Sequence, residues 1–163
     1  MKKITALLLA LMLSLTLIFV VSCNDETEAP ATSSTATNDS SSTDTQDKIP
    51  AEGLWASATY RNDTTLGQGE KTFTFVVEID NQSVNFTINT NKSTVGEALL
   101  ELNLIEGEEG AYGLYVKKVN GVLADYDVDR TYWAFYINGE YASSGVDTTD
   151  IVSGTTYKMS RAN

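Results

Sequence analysis

Apolar and polar residues alternate through the stretch KTFTFVVEI, and this period of two predicts a β-strand. Phe73, Phe75 and Val77 fall on one face, with threonine and glutamate opposite. The stretch SVNFTIN, residues 83–89, repeats the same alternation. Residues 80–82, Asp-Asn-Gln, lie between the two runs and supply turn geometry, so the pattern predicts a β-hairpin.

The period changes from two to about 3.6 in the stretch STVGEALLELNLI. Thr94 and Glu97 have the spacing of a helix-capping box, with Ser93 as an alternative cap. Four apolar residues then share one helical face: Val95, Ala98, Leu99 and Leu102. We predict a helix over residues 95–103.

The rest of the chain predicts further strands. GLYVKKV and TYWAFYI read as strands, and the Asn120–Gly121 pair between them is a strong turn signal. A second turn at Asn138–Gly139 leads into a short strand through Tyr141, and TTYKMSR predicts a closing strand near the end. Residues 55–69 fit either an edge strand or a docking segment.

The predicted order is therefore β-β-α-β-β-β. A hairpin, one helix and further strands predict a small α+β domain, with the helix packed on a mostly antiparallel or mixed sheet. The β-grasp architecture fits this order.

The N-terminus has the pattern of a secretory signal. Lys2 and Lys3 precede an almost unbroken apolar run over residues 5–21, which ends at Val-Val-Ser-Cys. These four residues resemble the bacterial lipobox, which predicts a signal peptide over residues 1–22 and lipidation of Cys23. The protein would then be lipid-anchored at the extracytoplasmic face of the cell membrane. The alternative is an uncleaved membrane anchor with an incidental thiol.

Residues 23–54 are rich in serine, threonine and aspartate and contain few large apolar side chains. Such a segment cannot bury enough apolar surface to offset its chain entropy, so we predict a disordered tether. As a flexible coil it would reach about 30 Å from the membrane. Residues 55–163 remain as one domain.

Composition narrows the range of possible functions. Removing residues 1–22 would remove Lys2 and Lys3 and move the net charge from −11 to −13. So acidic a chain argues against nucleic acid as a partner. The chain has no histidine, and Cys23 is its single cysteine, so a Ser-His pair, a disulfide and a cysteine nucleophile are excluded. We expect a binding protein rather than an enzyme.

Two acidic clusters invite a catalytic or metal-binding interpretation: Glu106, Glu108 and Glu109 in one, and Asp125, Asp127 and Asp129 in the other. The glutamates are flanked by glycines, so we expect a solvated loop. The aspartates match positions 1, 3 and 5 of an EF-hand loop, but Arg130 replaces the required glycine and Tyr136 the bidentate glutamate. We therefore predict no metal site, only an acidic loop.

An aromatic cluster in TYWAFYI is the most informative feature. Period-two alternation places Trp133, Phe135 and Ile137 on one face, which is the better core set. Tyr132 and Tyr136 then face outward. Outward tyrosines are typical of binding surfaces, although tyrosine is also common on half-buried strands for its β-propensity alone.

Three stretches together resemble a known family: TVGEALLEL, then YGLYVKKVNGV, then YWAFYINGEYASSGVDTTDIVSGTTYKM. They are similar to the transcobalamin-like C-terminal domain, also called DUF4430, over about residues 71–160. The most specific parts are residues 94–99, the two Asn-Gly turns, Tyr132-Trp133 and Gly145-Val146. No one of them is specific alone.

The resemblance implies a β-rich lid that closes over one face of cobalamin, while a helical barrel holds the other face. It nominates a surface of aromatic and small residues: Tyr132, Trp133, Tyr136, Ser143, Ser144, Gly145 and Val146. No cofactor is certain, but cobalamin or a related corrinoid is the implied ligand.

The domain predicted over residues 55–163 is too short to include a helical barrel. A partner protein or a corrinoid transporter would therefore have to supply the other face of the ligand. The function implied is that of a surface-anchored lipoprotein binding module. The alternative is a module of the cell envelope that binds proteins or glycans without cobalamin.

Overall fold

The computed structural model describes residues 47–163. The predicted signal peptide, Cys23 and the tether as far as residue 46 lie outside the described residues. No helix between residues 47 and 163 is long and apolar enough to cross a membrane. Packing begins before the predicted domain start at residue 55, because Ile49 is 3% exposed and donates its N–H to Arg61 O at 3.1 Å. The last residues assigned to the tether, from Ile49 on, belong to the folded domain.

The described chain folds into short helices and strands in the following order. A 3-10 helix covers Gly53–Ser57 and is followed by β1 (Thr64–Gly67), β2 (Lys71–Ile79), β3 (Gln82–Thr90), α1 (Val95–Glu101), β4 (Ile105–Gly110), β5 (Gly113–Val119), β6 (Val122–Leu123), α2 (Tyr126–Asp129), β7 (Tyr132–Ile137), β8 (Glu140–Tyr141) and β9 (Thr156–Ala162).

The main sheet has the strand order β1-β3-β2-β9-β7-β8. β2 and β3 form the predicted antiparallel hairpin, and the turn residues Asp80 and Asn81 both have positive φ, as a tight hairpin turn requires. β9 lies between β2 and β7, parallel to the first and antiparallel to the second. The sheet is therefore mixed, with one main helix, and the predicted α+β fold class is confirmed.

One face of this sheet forms the core, as the alternation predicted. Its inward side chains come from four strands, and the fully buried ones include Phe73, Phe75, Phe86, Ile88 and Tyr157. Val95, Ala98 and Leu99 of α1 are also buried. Burying each such aliphatic or aromatic side chain contributes roughly 1.5–3 kcal/mol before the entropy cost of folding.

The α1 helix begins where the capping box predicts. Glu97 N donates to Thr94 Oγ1 at 3.3 Å, and Thr94 N donates back to Glu97 Oε2 at 3.2 Å. The helix ends at Glu101, two residues before the predicted end. Asn103 has a φ of 53°, so it turns the chain out of the helix, and Leu104 N then bonds Leu99 O.

The glutamate cluster lies in the strand β4, so the prediction of a solvated loop is wrong. β4 pairs with β5 in a separate three-stranded sheet of order β4-β5-β6. Most of β4 is exposed, and it therefore lacks the alternation that predicts strands. Cross-strand ion pairs accompany the pairing, from Lys118 to Glu106 at 2.8 Å and from Lys117 to Glu108 at 3.2 Å.

The aspartate cluster forms the short helix α2 rather than a loop. Asp125 caps it by accepting a hydrogen bond from Asp127 N at 3.0 Å. Asp129 closes the next turn, accepting from Thr131 N at 3.0 Å, and pairs with Arg161 at 2.6 Å. These carboxylates are used locally, and residues 47–163 contain no group of three or more metal-ligating side chains.

Residues 55–69, which the sequence left ambiguous, contain both alternatives. Trp55 is buried and lies in the 3-10 helix, which docks on the core. β1 is an edge strand and pairs parallel to β3. Between them, Asn120 fixes the position of the segment. Its side chain accepts a hydrogen bond from Tyr60 N and donates one to Tyr60 O.

Candidate ligand groove

The predicted division of the aromatic strand β7 is confirmed. Trp133 and Phe135 are only 7% and 8% exposed, and Ile137 is partly buried against the core. Tyr132 and Tyr136 are half-buried and lie on the opposite face of the sheet. Of the seven residues nominated as a ligand surface, the three on β7 therefore lie on two sides of that strand, and the other four lie in the loop after β8.

A groove opens beside β7 because its neighbour β8 is only two residues long. Ala142 N donates to Phe135 O at 2.9 Å, and the chain then leaves the sheet. The groove has a volume of about 120 Å³. Its walls include Leu114 and Val116 of β5, Trp133 and Phe135 of β7, and Gly145 and Val146 of the following loop.

The structure brings Trp133, Gly145 and Val146 together in this groove. Ser143 and Ser144 are exposed on the loop beside it. Tyr132 and Tyr136 belong to the other face of the sheet and do not line the groove. Sequence reasoning missed the β5 wall, since Leu114 and Val116 are more than fifteen residues away from Trp133 and only the tertiary fold brings the two strands together.

The loop of residues 143–151 is fastened to the start of α1. Gly96 N donates to Val146 O at 2.7 Å, and Val95 N donates to Thr149 O at 2.9 Å. A Cβ atom on Gly96 would lie 2.9 Å from the backbone of Asp147, so glycine permits this close approach. These backbone hydrogen bonds fix the position of the loop.

Hydroxyl groups hold the loop together internally. Thr149 Oγ1 donates to Gly145 O at 2.7 Å and lies 2.9 Å from Ser144 Oγ. Thr149 is buried, which strengthens such contacts by excluding water. Ser144 therefore supports the loop as well as lying at its surface.

Tyr157 of β9 fastens the far end of the same loop. Its hydroxyl accepts a hydrogen bond from Val152 N at 3.0 Å and donates one to Asp150 O at 3.1 Å. The ring is buried against Phe73 and stacks on Phe135, with centroids 5.3 and 6.2 Å away. One core residue thus links the loop to the strand that lines the groove.

Asp147 joins the loop to the tip of the β4–β5 hairpin. Its Oδ2 accepts a hydrogen bond from Leu114 N at 3.2 Å. A Cβ on Gly113 or Gly145 would lie 2.3 or 2.5 Å from the carboxylate oxygens, so two glycines make room for it. Asp147 Oδ1 is buried and has no hydrogen-bond partner within residues 47–163. No motif in the sequence indicates this role.

Trp133 carries a second buried polar atom without a partner. Its indole Nε1 has no acceptor in the part of the chain that the structure describes. An unsatisfied buried donor costs about 1–3 kcal/mol. The strand that lines the groove therefore keeps an unused hydrogen-bond donor.

The outer face of the main sheet carries a second aromatic surface. Tyr136 packs edge-on against Tyr141, with ring centroids 5.4 Å apart, and Tyr141 is 65% exposed. Lys158 Nζ lies 4.7 Å from the Tyr136 ring centroid and 3.2 Å from Glu78 Oε1. Aromatic rings and charged groups alternate along this surface.

Two carboxyl groups near the loop and β7 are held in their charged form. Hydrogen bonds from the backbone of Thr94 and then Ser93 lower the pKa of Glu97 below its usual 4.5. The Thr131 hydroxyl, and to a smaller extent the nearby Arg161, lower the pKa of Asp129. Both groups stabilise local backbone, which is a structural role.

Residues 92–159 match the family model described as "Domain of unknown function (DUF4430)". The match covers α1, the three-stranded sheet, β7, the groove loop and most of β9. The predicted family resemblance is confirmed over this segment. No curated protein matches the chain.

The solved structures that are similar to the chain include two proteins of different size. A protein from Ruminococcus gnavus ATCC 29149, described as a candidate metal-binding protein, is 29% identical with a TM-score of 0.55, over 58% of this chain and 98% of that one. Haptocorrin in complex with Cbi is 23% identical with a TM-score of 0.47, over 60% of this chain and 26% of haptocorrin.

Proposed function

We propose that this chain, which has the DUF4430 pattern over residues 92–159, is a binding module whose ligand surface is the groove beside β7. The ligand we propose is cobalamin or a related corrinoid. One observation carries the proposal: Trp133, Gly145 and Val146, which the family resemblance nominates from separate parts of the sequence, line a single groove with an apolar β5 wall.

The size of the groove limits how such a ligand binds. Pockets that enclose a drug-sized molecule usually measure about 300–1,000 Å³, whereas this groove measures about 120 Å³. Only the edge of a corrin ring would enter it, and the ring itself would lie over the exposed Ser143 and Ser144. A partner chain supplies the other face, and the isolated module binds weakly.

The proposal includes no catalytic step and no metal held by side chains. The Ruminococcus gnavus protein is described as a candidate metal-binding protein. In this chain, however, residues 47–163 bring together no three carboxylate, histidine or cysteine side chains. A metal would therefore arrive inside the ligand, as the cobalt of a corrinoid does.

Equilibrium dialysis of the full chain against cobalamin tests the ligand. Leu114→Glu places a charge in the groove wall, and we expect it to weaken binding at least about tenfold through unfavourable desolvation of that charge. Leu123→Glu is the matched control, because Leu123 is exposed on the same small sheet and should bind as the unaltered protein does. Absence of binding at millimolar cobalamin, alone and with a corrinoid transporter, would contradict the proposal.

We place the module at the extracytoplasmic face of the membrane, anchored through a lipid on Cys23. The lipobox-like residues 20–23 support this placement. Radiolabelled palmitate should be incorporated into the protein in bacterial cells and should be lost in the Cys23→Ala variant. Equal labelling of both proteins would contradict the anchor without affecting the ligand proposal.

The second candidate function is recognition of an envelope protein or glycan through the outer sheet face. Tyr136 and the exposed Tyr141 favour it, because tyrosine pairs offer apolar area and hydroxyl groups at low entropy cost. Tyr141→Ala should abolish capture of peptidoglycan fragments or a defined envelope protein and leave cobalamin binding unchanged. Leu114→Glu should do the reverse.

A further inference from the structure

We infer that the outer face of the main sheet binds a neutral linear glycan, which lies across the strands along a row of threonines. The inference rests on the second candidate function, recognition of an envelope protein or glycan by this face, and it names the class of ligand. The face lies on the other side of β7 from the groove, so the inference does not depend on the corrinoid proposal.

Strand register aligns four threonines into one row across the sheet. Thr65 of β1 pairs with Thr87 of β3, which pairs in turn with Thr74 of β2. Thr74 also pairs with Thr156 of β9. Paired residues point to the same face, and this is the outer face, because the chain neighbours of Thr74 are both buried phenylalanines. Neighbouring strands lie about 4.8 Å apart, so this threonine row spans about 14 Å.

The hydroxyls of the threonine row are not used within the described fold. The members on β1 and β3 are exposed, and the other two are half-buried. None of the four hydroxyls forms a hydrogen bond within residues 47–163, whereas the nearby Thr72 donates its hydroxyl to Asn89 Oδ1 at 2.8 Å. Because a hydroxyl both donates and accepts, the row matches a ligand that itself carries hydroxyls at regular intervals.

The outer face is neutral, although the chain carries a net charge of −11. The outward positions of its strands contain one acid and one base, Glu78 and Lys158, whose charged atoms lie 3.2 Å apart. At the border of the face, Lys48 Nζ lies 2.8 Å from Asp63 Oδ1. An uncharged ligand suits this surface, because its binding buries no unpaired charge. The other charged residues of these strands belong by register to the opposite face: Lys71, Glu140 and Arg161.

The residue types on this face favour a glycan over other macromolecules. The cores of protein interfaces are rich in apolar and aromatic side chains. The outward positions of β2 and β3 are mostly threonine, asparagine and serine, and Val76 is their one apolar side chain. Nucleic acid requires several lysines or arginines to neutralise its phosphates, and Lys158 is already paired.

An aromatic pair continues the surface beyond β9. Tyr136 of β7 is aligned with Lys158, two residues from Thr156, and with Tyr141 of β8. Tyr141 is 65% exposed. Sugar rings carry C–H groups on their faces, and these groups pack well on the electron-rich face of an aromatic ring. A glycan can therefore contact a tyrosine ring at one end and the threonine hydroxyls along its length.

The twist of the sheet favours a single glycan chain over a flat crystalline surface. Adjacent strands rotate by about 20–25°, so the threonine row turns by about 60–75° over its four strands. A single chain can follow this rotation, whereas a flat surface meets part of the row.

Proton–nitrogen NMR of the full chain tests the inference with two neutral linear probes of different linkage, cellohexaose and maltohexaose. At millimolar sugar we expect at least one probe to shift the amide signals of Thr65, Thr74 and Thr87. The amides of Gly145 and Val146 in the groove loop are the internal control and should not shift. A hyaluronan hexasaccharide carries carboxylates and should bind at least about fivefold more weakly than the better neutral probe, because the chain is acidic.

The double variant Thr74→Val, Thr87→Val removes two hydroxyls and keeps β-branched side chains, which strands favour. We expect it to weaken glycan binding about fivefold or more, because two hydrogen bonds are lost. Thr59→Val is the matched control, since Thr59 is also exposed but lies beside the β5–β6 turn, where its N–H bonds Asn120 O at 2.9 Å. Thermal unfolding should confirm that both variants fold.

The outcomes distinguish this inference from the proposed functions. No shift with either neutral probe, equal binding of the charged probe, or unchanged binding by the double variant would overturn it. If an envelope protein were still captured in a manner that Tyr141→Ala abolishes, the outer face would be a protein-binding surface and the glycan inference alone would be wrong. The double variant should bind cobalamin as the unaltered protein does.

Discussion

The two walls at the mouth of the groove are built differently. The loop of residues 143–151 is held by backbone hydrogen bonds to α1 at one end and by the Tyr157 hydroxyl at the other. The tip of the β4–β5 hairpin is exposed at residues 110–112, and one hydrogen bond beside it, donated by Leu114 N to the Asp147 carboxylate, joins it to the loop.

The difference indicates that the loop is held in one position, whereas the hairpin tip can move. The loop is part of the folded unit, so it moves only when neighbouring core contacts break. The hairpin tip is built from glycine, alanine and tyrosine and loses little when it shifts. We expect the loop to fix where a ligand lies and the tip to adapt to it.

The largest loss of stability is expected from Gly96→Val, because Gly96 lies where the loop packs against α1. The new Cβ would lie 2.9 Å from the Asp147 backbone, and overpacking of this kind costs about 1–3 kcal/mol. Leu100→Val in the same helix is the control, because it also introduces a β-branched residue, but at an exposed position. Denaturant unfolding should show a clearly larger loss for Gly96→Val, and equal losses would contradict the close-approach explanation.

A smaller loss is expected from Tyr157→Phe, which releases the other end of the loop. Val152 N loses its acceptor and Asp150 O its donor, but both residues are exposed and water can replace the hydroxyl, so we expect a cost of about 0.5–1.5 kcal/mol. Tyr141→Phe removes a hydroxyl from an exposed ring and should leave the free energy of unfolding almost unchanged. If thermal unfolding gave the same midpoint for both variants, the Tyr157 hydroxyl would have no anchoring role.

Asp147→Ala should loosen the hairpin more than the loop. The bond to Leu114 N is lost, and a net hydrogen bond of this type contributes about 0.5–1.5 kcal/mol. Hydrogen exchange should accelerate at Leu114 and leave the amides of Val95 and Gly96 unchanged. Faster exchange at Gly96 would show that the two walls move together.

Acid should weaken the α1 cap on which the loop rests. Because the pKa of folded Glu97 is lowered, its charge stabilises the fold at pH values above the usual 4.5, and this contribution is lost as the pH falls through the folded value. The stability difference between the unaltered protein and Glu97→Gln should therefore be present at pH 7 and vanish toward pH 3. A difference that persists at pH 3 would indicate a steric cause.

The smallest effect is expected at the hairpin tip itself. Tyr112 is 101% exposed, so Tyr112→Ala should change the free energy of unfolding by less than about 0.5 kcal/mol. Any effect should appear only in binding. A marked destabilisation would show that the tip is as firmly held as the loop.

The sequence alone determined the local elements. Alternating apolar residues predicted the β2–β3 hairpin and the inward set of β7, and Thr94 with Glu97 predicted the start of α1. These features depend on residues that are close in the chain, where period, turn chemistry and capping act directly. The α+β class followed from their order.

The tertiary structure decided the position of β9, the second sheet and the groove. β9 carries only Tyr157 and Met159 as buried side chains, yet it lies at the centre of the sheet because β2 and β7 both pair with it. β4 is exposed except for Ile105 and is a strand through backbone pairing with β5, which leaves no apolar period to detect. Asp147 acquires its role only because the hairpin tip at Gly113, a distant part of the chain, approaches it. Contacts between distant segments depend on how whole elements pack, and the periodicity of neighbouring residues does not predict them.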